Sequence, residues 1–524
     1  MDYLKIGKAT QLEGRDRKLY RLFEMVPGVL SWGTLFFLFV LSFLKPIWAA
    51  FFIIVFDVYW LLLVLYLGVH LFVAYYRLKK NIKIDWKNKC KELIQEKNEG
   101  LPPDCLAKRD WRWTDLTHLI IFPTYNEDLG VIRSSFEALL KDGYPLEKMM
   151  VVLAIEERAG EEARQRAEII KREFGDKFDR FLITVHPDGI PGEIKGKGAN
   201  QTWAVQKVKE KIIDKEGFDY NKILVSVFDI DTMVHPGYFF CLSYRFLTVS
   251  CPFRASYQPV PVYHNNIWEA PFFARVAASS NTFWQMMQQI RQEKLATYSS
   301  HSMTFRALVD IGFWSTNMVS EDSRIFWHCF LYYNGDYRVE PLNFPVSMDV
   351  TMDETFWQTV KNLYKQQRRW GWGVENVPYL MFNGLKKWGK ISPKKILSKI
   401  FVQLYGFHSW ATNALIIAVI GWMPIILGGE KFHTTVISGN LPAVTRGLMT
   451  LAMVGLIFSA IISTLLLPPR KTKFGFFKKA IMFIHWLVLP LSIIIFGALP
   501  ALSSQTRLML GKYLGFWVTP KTRK

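Results

Sequence analysis

Apolar residues in this 524-residue chain gather at its two ends, and that distribution constrains the fold more than any other feature. Residues from about 27 to 77 and from about 399 to 502 carry runs long enough to cross a bilayer core of about 30 Å, while residues 80–395 mix charge and hydrophobicity as a water-facing domain does. The expected spans are Gly28 to Phe43, a second starting after Lys45-Pro46 and running to Tyr76, then Ala411 to Leu427, Leu448 to Leu467 and Ala480 to Leu502. Pro490 should kink the last of these. Leu397 to Ser409 reads as an amphipathic stretch lying along the membrane surface. Asp57 falls inside the second span, where a carboxylate requires a partner; a helix-packing hydrogen bond is the plainer reading and a pore role the functional one.

The formal charge of +20 sits largely beside the apolar runs, at Arg77 to Lys83, Lys386 to Lys399, Arg470 to Lys479 and Lys521 to Lys524. Basic residues flanking spans mark the cytoplasmic side and attract anionic headgroups, so the charge points to a bilayer and not to nucleic acid. The water-facing domain and the 470–479 loop are both expected on the cytoplasmic side. Five spans then put the basic C-terminal tail on the opposite side, which implies a miscounted span or a re-entrant last segment. The five cysteines, Cys90, Cys105, Cys241, Cys251 and Cys329, lack any C-x-x-C spacing and argue against a zinc site or a disulfide framework. That pattern fits a reducing compartment. About 25 polar and charged residues precede the first apolar run with no small-residue cleavage site, so the N-terminus reads as a retained anchor.

Between the anchors, runs of strand length alternate with stretches of helical spacing. HLIIFPTYN (118–126), MVVLAIEE (150–157), RFLITVHPD (180–188) and KILVSVFDID (222–231) are the strands, and 129–141, 159–174 and 198–213 the connecting helices. This is an α/β domain built on a parallel sheet. Ligands in open sheets bind beyond the carboxyl ends of the strands. Those ends carry Thr124-Tyr125-Asn126-Glu127, Glu156-Glu157 and Asp229-Ile230-Asp231. Two aspartates one residue apart at a strand end can aim at one hard cation that in turn bridges a diphosphate, although the pattern alone is a weak signal.

Four motifs in this order resemble glycosyltransferase family 2, in particular its membrane-bound processive branch of cellulose, chitin and hyaluronan synthases. PTYNE (123–127) resembles the nucleotide-binding opening, FDID (228–231) the metal-binding D-x-D, SED (320–322) the T/S-E-D motif and QQRRW (366–370) the Q-x-x-R-W. The resemblance covers roughly 116–375. It implies a GT-A type domain at 81–395, between a tail with two spans at 1–80 and an interfacial helix, about three spans and a short tail at 396–524. It also implies that Thr124, Tyr125, Glu127, Glu156, Lys197 and Asp229 bind a nucleotide-sugar and that Asp231, with Asp229, holds Mg²⁺ or Mn²⁺. Asp322 would be the general base, and Glu321, Gln366, Arg369 and Trp370 would meet the acceptor. Where the family has aspartate after the second strand this chain has Glu156-Glu157-Arg158, which puts Glu156 in doubt. The 22 residues after 502 leave no room for a regulatory nucleotide-binding domain, so none is expected.

Plainer readings stand beside these. Ser320 can cap a helix whose first turn carries Glu321 and Asp322, and QQRRW can be a solvated basic face, although Trp370 and Trp372 as exposed tryptophans would favour an interface or a ligand. His301 reads as hydrogen-bonded structure, and Tyr257, Tyr263, Trp268 and Trp284 as packing with a possible sugar floor. Three functions remain open: a processive inverting polysaccharide synthase using a nucleotide-sugar, with UDP the nucleotide the resemblance implies; transfer of one sugar to a lipid-linked acceptor; and a nucleotide-binding transporter or scaffold without catalysis. The sugar, the linkage and the oligomeric state are not encoded in any motif.

Overall fold

The computed structural model describes residues 2–93, 111–468 and 484–519. Cys105, the basic 470–479 loop, the start of the span expected at Ala480 and the Lys521 to Lys524 tail lie outside the described residues.

The four apolar runs become β1 (Thr117–Thr124), β2 (Met149–Glu156), β3 (Arg180–His186) and β4 (Ile223–Val227). Successive side chains of a strand point to opposite faces, and both faces here are covered. Ile120, Phe122, Val151 and Leu153 enter one core with Phe136 and Ile170 of the helices Leu129–Lys141 and Gly160–Phe174. Leu119, Ile121, Met150 and Val152 enter a second core with Val205 of the helix Lys197–Val208 and Phe326 of the helix Glu321–Tyr332. Burial on both faces is why these strands read as unbroken apolar runs. The expected 198–213 helix ends at Val208 and continues as a π-helical turn, Lys209–Ile213.

The sheet has four further strands, β5 (Met233–Val234), β6 (Ala255–Tyr263), β7 (Ser302–Thr304) and β8 (Arg338–Met348), in the order β3-β2-β1-β4-β7-β6-β8-β5. β3, β2, β1 and β4 run parallel, and β7 joins β4 antiparallel. The sheet is therefore mixed, and in its parallel half the strand order reverses between β1 and β4, with the D-x-D turn following β4. Such a junction opens a crevice beyond the strand ends.

Four helices among the described residues are long and apolar enough to cross a membrane: Gly14–Leu44, Pro46–Ile82, Val436–Leu466 and the stretch His485–Met509. A fifth span results if Pro393–Ala418 and Ile420–Leu427, bent by 40°, count as one. Leu397–Ser409 lies within the helix Pro393–Ala418, continuous with the apolar turns up to Ala418. The first two helices have 31 and 37 residues, about 46 and 55 Å at 1.5 Å per residue, so both outrun the bilayer core. The excess of the second packs Leu71, Ala74 and Leu78 against Val260 of β6 and Phe283 of the helix Phe272–Ile290. Phe36, Trp48, Leu62 and Val69 stand exposed along these helices, as side chains facing lipid do.

Asp57 is buried and accepts a hydrogen bond from Thr445 Oγ1 at 2.8 Å, the packing role. At Pro490 the last stretch changes from a 3₁₀ to an α turn, and a π turn follows at Ile494–Ala498. Among the described cysteines, Cys90, Cys241 and Cys329 are free and buried. Cys251 is disulfide-bonded, which corrects the reading that the cysteine pattern argues against disulfides and removes the cysteine argument for a reducing compartment. Spacing along a chain does not register which thiols the fold brings together.

Candidate active site

The turn after β1 is closed by Glu127. Its Oε2 accepts from Thr124 Oγ1 at 2.7 Å and from the Tyr125 N–H at 2.8 Å. The Tyr125 ring lies beneath the Arg158 guanidinium, 4.5 Å from its centroid, and Arg158 Nε donates to Glu156 Oε2 at 2.6 Å. The departure Glu156-Glu157-Arg158 is thus a built unit, in which the longer carboxylate anchors an arginine over Tyr125. Beside it Glu156, Arg158, His186, Asp188, Glu193 and Lys195 line a cavity of about 90 Å³ at the ends of β2 and β3.

Lys197 opens its helix from Gly196, whose φ of +145° is a conformation that suits glycine. The Lys197 Nζ lies 2.7 Å from Asp229 Oδ1 and 2.9 and 3.1 Å from the two oxygens of Asp322. Burial works against the ammonium, but Asp229, Asp322 and Glu321 outweigh it and hold Lys197 above its ordinary range. Three motifs far apart in sequence thus meet at one charged nitrogen, which touches carboxylates where the resemblance implies a diphosphate partner.

Asp231 is fully buried, with Oδ2 accepting the Asp349 N–H at 2.8 Å just past the end of β8, and its carbonyl takes the Asn265 amide at 3.0 Å. Among the described residues no group of three or more His, Cys, Asp or Glu side chains is arranged to hold a metal. Mg²⁺ and Mn²⁺ at phosphate sites commonly take one or two carboxylates and complete their shell with phosphate oxygens and water. A pair such as Asp229 and Asp231 fits that demand.

Glu321 and Asp322 form the first turn of their helix. Burial first, and then the Asp322 charge, push the Glu321 carboxyl above its ordinary range, with Lys197 pulling the other way. Ser320 holds the N-cap position without capping, because its hydroxyl donates instead to Glu375 at 2.6 Å. His301 is buried, accepts from Trp314 Nε1 at 3.2 Å and places Nδ1 2.9 Å from the Tyr298 carbonyl. Burial lowers its pKa, and a neutral ring protonated on Nδ1 satisfies both contacts. The same Nδ1 is 3.9 Å from Asp322, so His301 is structural and yet a wall of the site.

The QQRRW motif lies on the helix Phe356–Gly371. Gln366 and Gln367 are buried, so this is no solvated face, and Trp372 is buried too, contrary to the expectation of two exposed tryptophans. Trp370 packs against Tyr263 at the end of β6, centroids 5.9 Å apart. Burial, then the charges of Asp229 and Asp231, hold the Tyr263 hydroxyl above its ordinary range. Tyr257 and Trp268 are buried or bonded into the structure, and Trp284 is exposed.

Sequence reasoning missed the segment 512–519. Phe516 lies beneath the Arg369 guanidinium, 5.0 Å away, and against Gly196, where an added Cβ would come within 2.5 Å of its ring. Lys365 sits 4.9 Å above the Trp517 ring. A stretch after the last span therefore crosses between the lysine loop and the QQRRW helix.

No family profile and no curated protein matches this chain. Among solved structures it is similar to the mannosyltransferase PcManGT from Pyrobaculum calidifontis in complex with GDP-Man and Mn²⁺, at 12% identity and a TM-score of 0.41, over 78% of this chain and 98% of that one. It is also similar to S. aureus TarS 1-349 in complex with UDP-GlcNAc, at 12% identity and a TM-score of 0.35, over 67% and 91%. Likenesses this loose leave the functional reading to the site itself.

Proposed function

We propose that this chain is a membrane-embedded inverting glycosyltransferase of the family 2 type, which moves a sugar from a nucleotide-sugar, with UDP as the nucleotide, onto a growing polysaccharide. The observation that carries this reading is the convergence of Lys197, Asp229 and Asp322 beyond the ends of the parallel strands.

In this reading Tyr125, Glu127 and the Glu156–Arg158 pair receive the base and ribose in the cavity beside them. Lys197 leaves the two aspartates for the diphosphate when donor binds, which neutralises the leaving group and frees Asp322. The Asp322 carboxylate takes the proton of the acceptor hydroxyl as that oxygen bonds the anomeric carbon from the face opposite the diphosphate. The bond from that carbon to the diphosphate oxygen breaks, and an α-linked donor gives a β-linked product. Asp231, with Asp229, would hold Mg²⁺ or Mn²⁺, whose chemistry is to offset the developing charge on the diphosphate. Glu321, neutral through burial, places no second charge beside the base. Trp370 and Tyr263 offer flat apolar faces to an acceptor sugar, and Arg369 a forked donor.

Support for an acceptor side close to the membrane comes from Ser504 Oγ, in the last apolar stretch, which donates to the Arg368 carbonyl of the QQRRW helix at 2.7 Å. Radiolabelled sugar supplied from a panel of nucleotide-sugars to the protein in lipid, with Mg²⁺ or Mn²⁺, tests the proposal. Label in large, alkali-stable material is expected. Label confined to a short organic-soluble product would replace the polymer with a lipid acceptor, and no incorporation from any donor would leave a nucleotide-binding protein without catalysis.

A further inference from the structure

The helix that carries Asp322 is fastened at its N-terminus by a carboxylate from another motif. Glu375 lies five residues beyond Trp370 and is buried. Its Oε1 accepts both the Ser320 N–H at 3.0 Å and the Ser320 hydroxyl at 2.6 Å, and its Oε2 accepts the indole N–H of buried Trp372 at 2.9 Å. In a capping box the third residue of the helix supplies a Glu to the N-cap N–H. Here that third residue is Ser323 and the Glu arrives from a different element.

A second layer of contacts locks the same junction. Arg324 is buried, with Nε donating to Asn376 Oδ1 at 2.7 Å and a terminal nitrogen to the Ile6 carbonyl at 2.9 Å, and its guanidinium lies 3.7 Å from the Tyr379 ring. Asn376 Nδ2 in turn donates to Ser323 Oγ at 2.9 Å, and Ser323 Oγ to the Ser320 carbonyl at 3.1 Å. This layer ties the segment after the QQRRW helix to the turn that begins the Asp322 helix, with carbonyls of the N-terminal segment as a third anchor.

We infer that Glu375 is a positioning residue, which acts through Ser320 to set the direction of the Asp322 carboxylate and to keep it in register with the acceptor side of the site at Trp370. This rests on the proposed role of Asp322 as base. Glu375 touches neither Lys197 nor the aspartates in any contact described, so its loss should leave donor binding intact. An offset of about 1 Å between reacting groups lowers turnover on the order of a hundredfold, which is the scale expected when Ser320 loses its anchor.

The variants Glu375→Ala, Glu375→Asp, Glu375→Gln and Ser320→Ala would be compared with wild type as full-length protein in lipid, measuring kcat, KM for the donor, the pH–rate profile and the affinity for UDP with Mn²⁺. Glu375→Ala and Glu375→Asp should lose turnover on the order of a hundredfold, with UDP affinity within about twofold of wild type. Ser320→Ala keeps the N–H contact and should lose less. Glu375→Gln retains an oxygen for Ser320, so it should recover much of the rate, with an unchanged pH profile. A Gln variant that loses a limb of that profile would make Glu375 an acid or base and overturn the inference. So would Ala, Asp and Ser320→Ala variants that all turn over at the wild-type rate. If Glu375→Ala fails to fold, the Gln and Ser320→Ala variants decide alone. Full activity in Asp322→Asn, by contrast, would remove the parent reading whatever the Glu375 variants do.

Discussion

At the residue scale, the central feature is one ammonium between two carboxylates. Lys197 joins Asp229 and Asp322, so carboxylates of two separate motifs share one cation. Glu321 has no such partner within hydrogen-bond reach among the described residues. Burial and its charged neighbour raise its pKa, so over a window above the ordinary value near 4.5 the folded chain keeps a proton that the unfolded chain gives up. Its contribution to stability is therefore full at acid pH and is lost as pH rises through the raised value. Glu321→Gln removes that loss. In thermal melts without donor, the variant should gain on wild type progressively from pH 5 towards alkaline pH, whereas a constant difference across that range would contradict the assignment.

The residues of PTYNE, FDID and SED stand out in the sequence because they end or follow a strand or begin a helix, whereas QQRRW stands out by its pattern alone, in the last turns of the helix Phe356–Gly371. Their partners do not. Nothing along the chain ties Ser320 to Glu375, Asp231 to the Asp349 N–H or Arg369 to Phe516, since these contacts exist only once the elements are packed. The same holds for Trp372, whose place beside Gly371 and Gly373 suggested exposure and whose indole is buried on Glu375.

At the scale of elements, the four parallel strands and their helices followed from unbroken apolar runs and helical spacing, and Leu129–Lys141 matches its expected bounds. The other half of the sheet was hidden for a physical reason. β6 contains Pro259 and Pro261 and β8 contains Pro341 and Pro345, and proline breaks the donor pattern by which a strand is recognised. The pairing of β6 with β8 shifts register between Gln258 and Val260, around Pro259. β7, with three residues, is too short to show a pattern.

Packing between the apolar helices makes two predictions at this scale. A Cβ at Gly28 would lie 2.7 Å from Met509 Cβ and 2.9 Å from the Gln505 carbonyl, so the first and last apolar helices meet on that glycine. Gly28→Val should destabilise by about 1–3 kcal/mol through overpacking, read as a lowered melting temperature in lipid; an unchanged value would mean that the helices do not meet there. Thr445→Val removes the hydroxyl that donates to buried Asp57. Leaving that carboxylate short of a donor should cost about 1–3 kcal/mol, and the double variant Asp57→Asn with Thr445→Val should recover part of it.

At the scale of the whole molecule, a mixed α/β domain is joined, among the described residues, to four long apolar helical stretches whose outer faces are rich in exposed phenylalanine, tryptophan and valine. Such surface is stable only against lipid, so the protein should stay in the membrane fraction through high salt and alkaline washing and leave it only with detergent. Release by salt alone would make the basic clusters, and not the spans, its attachment. The segment after the last helix links the two parts: its Tyr513 donates to Glu24 of the first apolar helix, and its Phe516 reaches Arg369 and Gly196 of the α/β domain.

The most direct test of the central claim is transfer of labelled sugar by wild type and Asp322→Asn, with UDP affinity measured on both proteins. The account predicts that the variant binds UDP with Mn²⁺ as wild type does and loses transfer by on the order of 10²–10⁴-fold, the usual contribution of a general base. Transfer by Asp322→Asn at the wild-type rate would contradict it.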